Sequence, residues 1–411
     1  MKYLLRFVVL GFMFAPSSAW AAACSGTAYA HTAGNFSNTT AVWCNGSVGS
    51  CTGGNAFCTL TAGNAVVFDS NSGAGTYTVD EAISIATLAT SGATAGITIA
   101  HTAGNTLTVS GASFDLSGVT YTPSTALANI TFGDTTNVTI TTGAGSSNTA
   151  QQLGTIVFNG ASGVFTFADN LNTKPTSTVT LTNGEWDLGT NNVNANIGQF
   201  SSSNGNTRSI NGGTGTITIL GVGAITNVWD LTTSTNFSFS GAAVNITFAP
   251  AGAMSGQLAF ITAAKTYGAI IVTFPSTTSS SASANSLQVE TVGPTFASLT
   301  VSGAGWIAYT PSATAYTITG AFTCTGTLTY PLGNISATPG VNTYVNLAIG
   351  GASTANYCTF IDTKITGAGA LTTTNSFDLG GNTGFTINPP TGSKPCGGGT
   401  ANGVPTGSNS C

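Results

Sequence analysis

Residues 178–188 read Thr-Val-Thr-Leu-Thr-Asn-Gly-Glu-Trp-Asp-Leu, and this stretch decides the fold. Threonine alternates with an aliphatic residue, which is the period of a β-strand with one buried face. An Asn-Gly pair then interrupts the alternation, as it does after Thr-Ile-Val-Phe at 155–158, and predicts a turn that closes each run. No helical period occurs in this stretch or elsewhere after the leader. The pattern therefore predicts short strands laid end to end.

The composition agrees with a repetitive β-structure. The chain has 411 residues with 54 glycines, and only 5% of its residues are charged, whereas about 25% is usual for a soluble protein. No apolar run after the N-terminus reaches the roughly 18 residues of a membrane helix. Alternating runs recur over residues 65–388. We expect an all-β fold, a parallel β-solenoid (a right-handed β-helix), which adds coils without one large central core.

An internal repeat supports coils of similar length. The triplet aromatic-Asp-Leu occurs at 114–116, 186–188, 229–231 and 377–379, with spacings of 72, 43 and 148 residues. Coils of about 21 to 25 residues fit these spacings as near-integer multiples. The aromatic residue and the leucine are expected to face inward, with the aspartate outward at a turn.

The N-terminus predicts export. Residues 1–21 have the form of a signal peptide, with Lys2 and Arg6 before an apolar stretch at 7–14 and a small-x-small site at 19–21. The expected location is secreted or at the cell surface. The remaining chain carries 5 basic and 12 acidic residues, a formal net charge of −7. Nucleic acid and anionic lipid are therefore not expected as partners.

Six of the eight cysteines cluster at the ends of the predicted solenoid. Disulfides there would cover open strand edges in an oxidising compartment. The predicted cap at 22–64 holds Cys24, Cys44, Cys51 and Cys58, and the Gly/Pro-rich tail at 389–411 holds Cys396 and Cys411. Cys324 and Cys358 are 34 residues apart and are expected to bridge neighbouring coils.

Two other uses of the cysteines have less support. Lipidation of Cys24 would leave an odd thiol, and the usual leucine three residues earlier is missing. A metal site is not expected, because no Cys-x-x-Cys pair occurs and the only histidines are His31 and His101. No sequence motif indicates a cofactor.

The strand pattern resembles the long parallel β-solenoids of secreted bacterial surface proteins, adhesins and phage tail-spike or fibre proteins. Residues 153–160, 178–188, and the closing segments 359–362 and 380–385 carry the resemblance. It covers about residues 65–388. It implies a coil shape and not a chemistry, because the type includes adhesive, structural and polysaccharide-degrading members.

Glycan cleavage is the leading enzymatic alternative, as a polysaccharide lyase or hydrolase. It needs paired carboxylates, and the tight acidic pairs are Asp80-Glu81 and Glu185-Trp186-Asp187. β-Helix pectinases, by the same resemblance, carry a basic residue beside such carboxylates. The basic residues of the mature chain, which are not next to either pair, are Arg208, Lys174, Lys265, Lys364 and Lys394. No catalytic residue is therefore assigned.

A binding surface has more support in the sequence than a catalytic site has. Threonines share one strand face at 176–182, at 214–218 and at 323–329. Stacked coils would turn these stripes into a flat, uncharged sheet able to adhere to glycan, protein or ice, although threonine also simply suits the solvent face of a strand. Exposed rings at Trp306, Tyr309 and Tyr330 are the candidates for stacking on sugar.

These observations favour a non-enzymatic, structural or adhesive protein at the cell surface or in an extracellular or phage-related assembly. Its partner would be a surface glycan or another protein. A glycan-active enzyme and an ice- or surface-binding solenoid are the alternatives. The oligomeric state is open, since no coiled-coil heptad marks a trimerisation segment.

Overall fold

A computed structural model describes residues 22–45, 57–125, 127–134, 137–143, 151–221, 227–254, 256–275, 286–290, 293–309, 312–327, 331–336 and 344–391. The regular structure in these ranges is β-strand throughout. None of these residues forms a helix that could cross a membrane.

Thirty-six strands follow one another along the described chain. The first eighteen are β1 (Thr27–Ala30), β2 (Trp43–Asn45), β3 (Ala65–Val67), β4 (Gly75–Val79), β5 (Ile83–Ile85), β6 (Thr87–Ala89), β7 (Ile97–His101), β8 (Thr106–Val109), β9 (Ser113–Asp115), β10 (Thr120–Pro123), β11 (Asn129–Phe132), β12 (Val138–Thr141), β13 (Thr155–Phe167), β14 (Leu171–Asn172), β15 (Thr178–Asp187), β16 (Ala195–Ile197), β17 (Gln199–Ser201) and β18 (Arg208–Asn211). The second eighteen are β19 (Thr216–Ile219), β20 (Asn227–Asp230), β21 (Phe237–Phe239), β22 (Asn245–Phe248), β23 (Gln257–Ile261), β24 (Thr266–Thr273), β25 (Ser286–Glu290), β26 (Thr295–Ser302), β27 (Trp306–Tyr309), β28 (Ser312–Ile318), β29 (Phe322–Thr325), β30 (Leu332–Ser336), β31 (Val345–Ile349), β32 (Ser353–Asn356), β33 (Cys358–Phe360), β34 (Thr363–Thr366), β35 (Leu371–Thr374) and β36 (Phe377–Asp378).

The strands stack in parallel, coil upon coil, so the chain is a parallel β-solenoid as predicted. Each coil contributes to three faces, and the stacked strands pair through parallel ladders. Face A, in its main part, stacks β14, β16, β19, β22, β24, β26, β29, β32 and β35. Face B runs from β5 through β8, β11, β13, β15, β17, β20, β23, β25, β27, β30 and β33 to β36. Face C begins with β3, β6, β9 and β12. It continues with the second half of β13, the second half of β15, and then β18 and β21.

The alternating sequence pattern produces the core. In β15 the odd-numbered Val179 and Leu181 are buried while Thr178 and Thr180 remain partly exposed. Neighbouring coils stack aromatic side chains inside the solenoid, with ring centroids 5.8 Å apart for Trp186 and Phe200. The hydrophobic effect and ring packing therefore act between coils along the whole axis.

The Asn-Gly pairs at 159–160 and 183–184 mark corners and do not end their strands, which corrects the sequence prediction. β15 continues through Asn183 and Gly184, where Gly184 takes φ = 86°. A side chain on Gly184 would place its Cβ 2.5 Å from the carbonyl oxygen of Gly163, so only glycine fits this bend between faces B and C. Asn183 Nδ2 donates to Asn159 Oδ1 of the adjacent coil at 2.8 Å, which ties two successive corners together.

Coil length varies more than the predicted 21 to 25 residues. Paired residues in neighbouring coils are 18 apart at Phe360 and Asp378 but 31 apart at Trp229 and Phe260. The expected inward orientation holds for Trp186 and Leu188, which are buried, but Asp187 is buried too and Leu379 is 40% exposed, against the expectation. The triplets do not form one stacked file, however, because 186–188 ends a face C segment while 229–231 ends a face B strand. Insertions at corners account for the irregular period.

The N-terminal segment covers the first coil. Within the described residues β2 is the strand that pairs antiparallel, and it lies along β1. Trp43 is fully buried, and its ring centroid lies 6.0 Å from that of Phe68, so the N-terminal segment packs on the first coil. A disulfide joins Cys24 to Cys58. This bond uses the sulfur that lipidation of Cys24 would need.

Three of the remaining six cysteines lie within the described residues and three do not. The disulfide Cys324–Cys358 is present and bridges neighbouring coils, as predicted. Cys44 is also disulfide-bonded. Cys51, Cys396 and Cys411 lie outside the described residues.

The described chain crosses over the last coil at the C-terminal end. Phe385 packs on Phe360 with ring centroids 5.1 Å apart. Asn388 Nδ2 donates to the carbonyl oxygen of Thr373 at 2.9 Å, so a side chain meets the outer edge of β35. This segment protects an edge that otherwise invites pairing with another chain.

Candidate functional site

Face A carries an outward-facing array of mostly threonine side chains on five consecutive strands. Parallel ladders align the residues in two files. We name these ten residues the threonine array: Ile271 and Thr273, Thr300 and Ser302, Thr323 and Thr325, Thr354 and Asn356, and Thr372 and Thr374. The residue between each pair points into the core, as Val301 and Cys324 do.

The geometry of the array follows from the parallel sheet. Neighbouring strands lie about 4.8 Å apart, and residues two positions apart on a strand are separated by about 6.6 Å. The array is therefore a regular two-dimensional lattice of hydroxyl and methyl groups. None of its ten residues is charged or aromatic. Ile271, with 40% of its side chain exposed, is the apolar exception.

One file of the array continues toward the N-terminus. Thr300 follows Ile271, which follows Thr247 and then Thr218 in register. Asn196 precedes Thr218, and its Nδ2 donates to Asn172 Oδ1 of the previous coil at 2.7 Å.

The three predicted threonine stripes do not lie on one face. Residues 214–218 and 323–325 belong to face A, whereas Thr178 and Thr180 lie on face B. Thr327 is exposed beyond the end of β29, and Thr329 lies outside the described residues. The threonines of these stripes face outward in β15, β19 and β29, as predicted.

The aromatic candidates for sugar stacking are not on the surface, which corrects that expectation. Trp306 is 5% exposed and Tyr309 is 1% exposed. Trp306 packs against Gly333, where an added Cβ would lie 1.6 Å from the indole ring. Burial raises the pKa of Tyr309 far above its usual range. Tyr330 lies outside the described residues.

The carboxylates of the main acidic pair are held by structural hydrogen bonds. Glu185 Oε2 accepts from Ser209 Oγ at 2.8 Å and from Ser240 Oγ at 2.7 Å. Asp187 is 3% exposed and accepts from Thr166 Oγ1 at 3.0 Å, from Asn211 Nδ2 at 2.9 Å and from the amide of Thr190 at 3.0 Å. These bonds join neighbouring coils, so both carboxylates have a structural use.

The second acidic pair has a similar use. Asp80 accepts from the amide and the hydroxyl of Ser37, which ties the cap to the first coils. Glu81 is exposed on the surface. No group of three metal-ligating side chains is found among the described residues.

The sequence contained no signal for the role of Arg208. This arginine is 1% exposed and donates to backbone carbonyl oxygens of Ser202, Asn206, Thr233 and Thr235. Its guanidinium lies 5.7 Å from the ring centroid of Phe237. Arg208 therefore fastens two successive corners, and its guanidinium donates to backbone carbonyl oxygens although Arg208 lies opposite Gly184, the residue before Glu185, in the ladder.

The hydrogen bonds of the buried His101 side chain define its protonation state. His101 ends β7 and is fully buried. Nε2 lies 3.2 Å from the carbonyl oxygen of Asn105, so this nitrogen carries the proton. Nδ1 accepts from the Tyr121 hydroxyl at 2.6 Å. Burial lowers the pKa of His101 to about 4.

No family model, curated protein or solved structure matches the chain. The threonine array is therefore chosen as the candidate site from its geometry alone.

Proposed function

We propose that the protein is an exported, non-enzymatic β-solenoid with a structural or adhesive role, and that the threonine array is the surface that contacts its partner. The observation that carries this proposal is the alignment of ten outward residues in two uncharged files on face A. A flat lattice of this kind fits an extended, repeating surface better than a small molecule, which prefers a concave pocket.

Export and a surface location belong to the same proposal. The leader predicts export, and the disulfides Cys24–Cys58 and Cys324–Cys358 are typical of an oxidising compartment outside the cytoplasm. The cell surface and an extracellular or phage-related assembly both meet these conditions.

The experiment is a glycan-array binding screen on the purified mature protein, together with a reducing-sugar release assay on every hit. Binding without release supports the adhesive role. Release of reducing sugar would contradict the non-enzymatic proposal and favour the glycan-active alternative. In that case Glu185→Gln and Asp187→Asn would test this acidic pair, with the circular dichroism of each variant as a folding control, because both carboxylates also hold neighbouring coils together. A negative result in both assays would favour a purely structural role.

Ice binding is a second candidate, supported by the same array. A regular lattice of threonine hydroxyl and methyl groups, without charged or aromatic side chains, suits ordered water better than it suits a sugar ring, which stacks on aromatic faces. Thermal hysteresis and inhibition of ice recrystallisation test this candidate directly. Activity in both assays, with no hit on the glycan array, would identify ice as the partner.

A further inference from the structure

A groove interrupts face C beside β21, away from the threonine array. β21 pairs with β18 on one side, and no strand pairs with its other edge in the part of the chain that the structure describes. The next coil passes this edge at residues 262–266, where Ala263 and Ala264 take φ values of 54° and 49°. This turn departs from the ladder and leaves a groove of about 370 Å³.

The groove contains a cation without an ionic partner. Lys265 is half-buried, and its Nζ donates to the carbonyl oxygen of Phe237 at 2.8 Å. An ammonium group has three donors, and no ion pair to Lys265 is found within the described ranges. Glu185, whose carboxylate accepts from Ser209 and Ser240, forms no ion pair with Lys265.

The walls of the groove combine ring surface with hydroxyl groups. Its lining includes Phe237, Ser238, Phe239, Ala243, Lys265 and Thr266. Phe239 is partly exposed, and Ser238 and Thr266 are exposed. Aromatic rings pack against the C–H face of a sugar, hydroxyls bond to its hydroxyls, and an ammonium group pairs with a carboxylate.

We propose that this groove binds a sugar that carries a carboxylate, with Lys265 Nζ bonded to the carboxylate and Phe239 against the ring. The size of the groove is within the range of small-molecule sites. A sugar fits this lining better than a peptide terminus does, because hydroxyl side chains stand on both walls. The site lies at the corner between faces C and A, where β24 begins, and it shares no residue with the threonine array.

The test compares two probes that differ only in the acidic group, glucuronate and glucose, by titration calorimetry or ligand-detected NMR on the mature protein. We expect glucuronate to bind and glucose to bind at least about tenfold more weakly, the loss of one charge-assisted contact. Lys265→Met should weaken glucuronate binding by a similar factor. Lys364→Met is the matched control, because Lys364 is exposed on β34 and should leave binding unchanged.

A second variant keeps the proposal testable if Lys265→Met does not fold. Ala243→Trp fills the groove while retaining the ammonium group, and it should also abolish glucuronate binding. Equal binding of glucose and glucuronate, unchanged binding by either variant, or no binding of glucuronate would each overturn the site. A glycan-array hit could come from this groove or from face A, so it is assigned to face A only when Thr323→Lys removes it and Lys265→Met does not. The ice assays do not depend on this groove.

Discussion

Thr300 and Thr323 stand directly opposite each other in adjacent coils, with their side chains outward, while Val301 and Cys324 beside them pair inside the core. The outward residues of face A therefore form its surface, whereas the inward residues form the core that stabilises the stack. An outward residue in the middle of the array can therefore be changed without disturbing the stack.

The first prediction uses that separation. Thr323→Lys places a long cation at the centre of the uncharged lattice and should abolish adhesion to whichever surface the screens identify. The free energy of unfolding should change by no more than about 0.5 kcal/mol, as is usual for exposed positions. Thr180→Lys is the matched control, because Thr180 has the same partly exposed setting on face B. Equal loss of binding in both variants would argue against face A as the contact surface.

The second prediction concerns the internal disulfide. Cys324–Cys358 closes a loop of 34 residues between neighbouring coils. Replacing both cysteines by alanine should lower the free energy of unfolding by about 3 to 4 kcal/mol, because the cross-link no longer restricts the unfolded chain. Urea unfolding of the variant and of the wild type, each with and without reductant, measures this loss. A variant as stable as the oxidised wild type would show that stacking alone fixes these coils.

The third prediction tests the buried arginine. Arg208→Met keeps much of the side-chain volume but leaves carbonyl oxygens of Ser202 and Thr233 without their donor. Ser202 is buried, and a buried carbonyl that loses its partner costs about 1 to 3 kcal/mol, whereas Thr233 is exposed and water can replace its donor. We expect a total loss of about 2 to 3 kcal/mol, measured by urea unfolding. Lys364→Met, at an exposed site, should be nearly neutral.

The strands could be predicted from the sequence because the alternation that marks a strand involves only neighbouring residues. Period-two alternation at 178–182 correctly placed Val179 and Leu181 inside. The 34-residue spacing of Cys324 and Cys358 also pointed to neighbouring coils. Both features depend on residues close in sequence or on one coil length.

The features that the sequence did not reveal depend on register between coils. Trp306 and Tyr309 are buried because every position of β27 is inward or covered, which alternation alone does not predict. The threonine array required the alignment of strands 18 to 31 residues apart, and corner insertions change that spacing from coil to coil. Arg208 was assigned no structural role, since its partners are backbone carbonyls that leave no trace in residue identity.

The last prediction is a pH dependence that belongs to His101. The unfolded histidine has a pKa near 6.5, and burial lowers the folded pKa to about 4. The folded state therefore keeps His101 neutral while the unfolded state binds a proton. Its contribution to stability is complete above pH 6.5, falls as the pH drops toward 4, and is constant below that. The full loss is about 3 kcal/mol.

The matched variant is His101→Gln, whose amide can still donate to the carbonyl oxygen of Asn105 but does not titrate. Carboxylates also titrate in acid, so the quantity to compare is the change in unfolding free energy between about pH 7.5 and about pH 4.5 in each protein. We expect the wild type to lose about 2 to 3 kcal/mol more than the variant over this interval, because only its unfolded state gains the histidine proton. Parallel pH profiles would mean that His101 is protonated in the folded solenoid, with Tyr121 accepting its hydrogen bond.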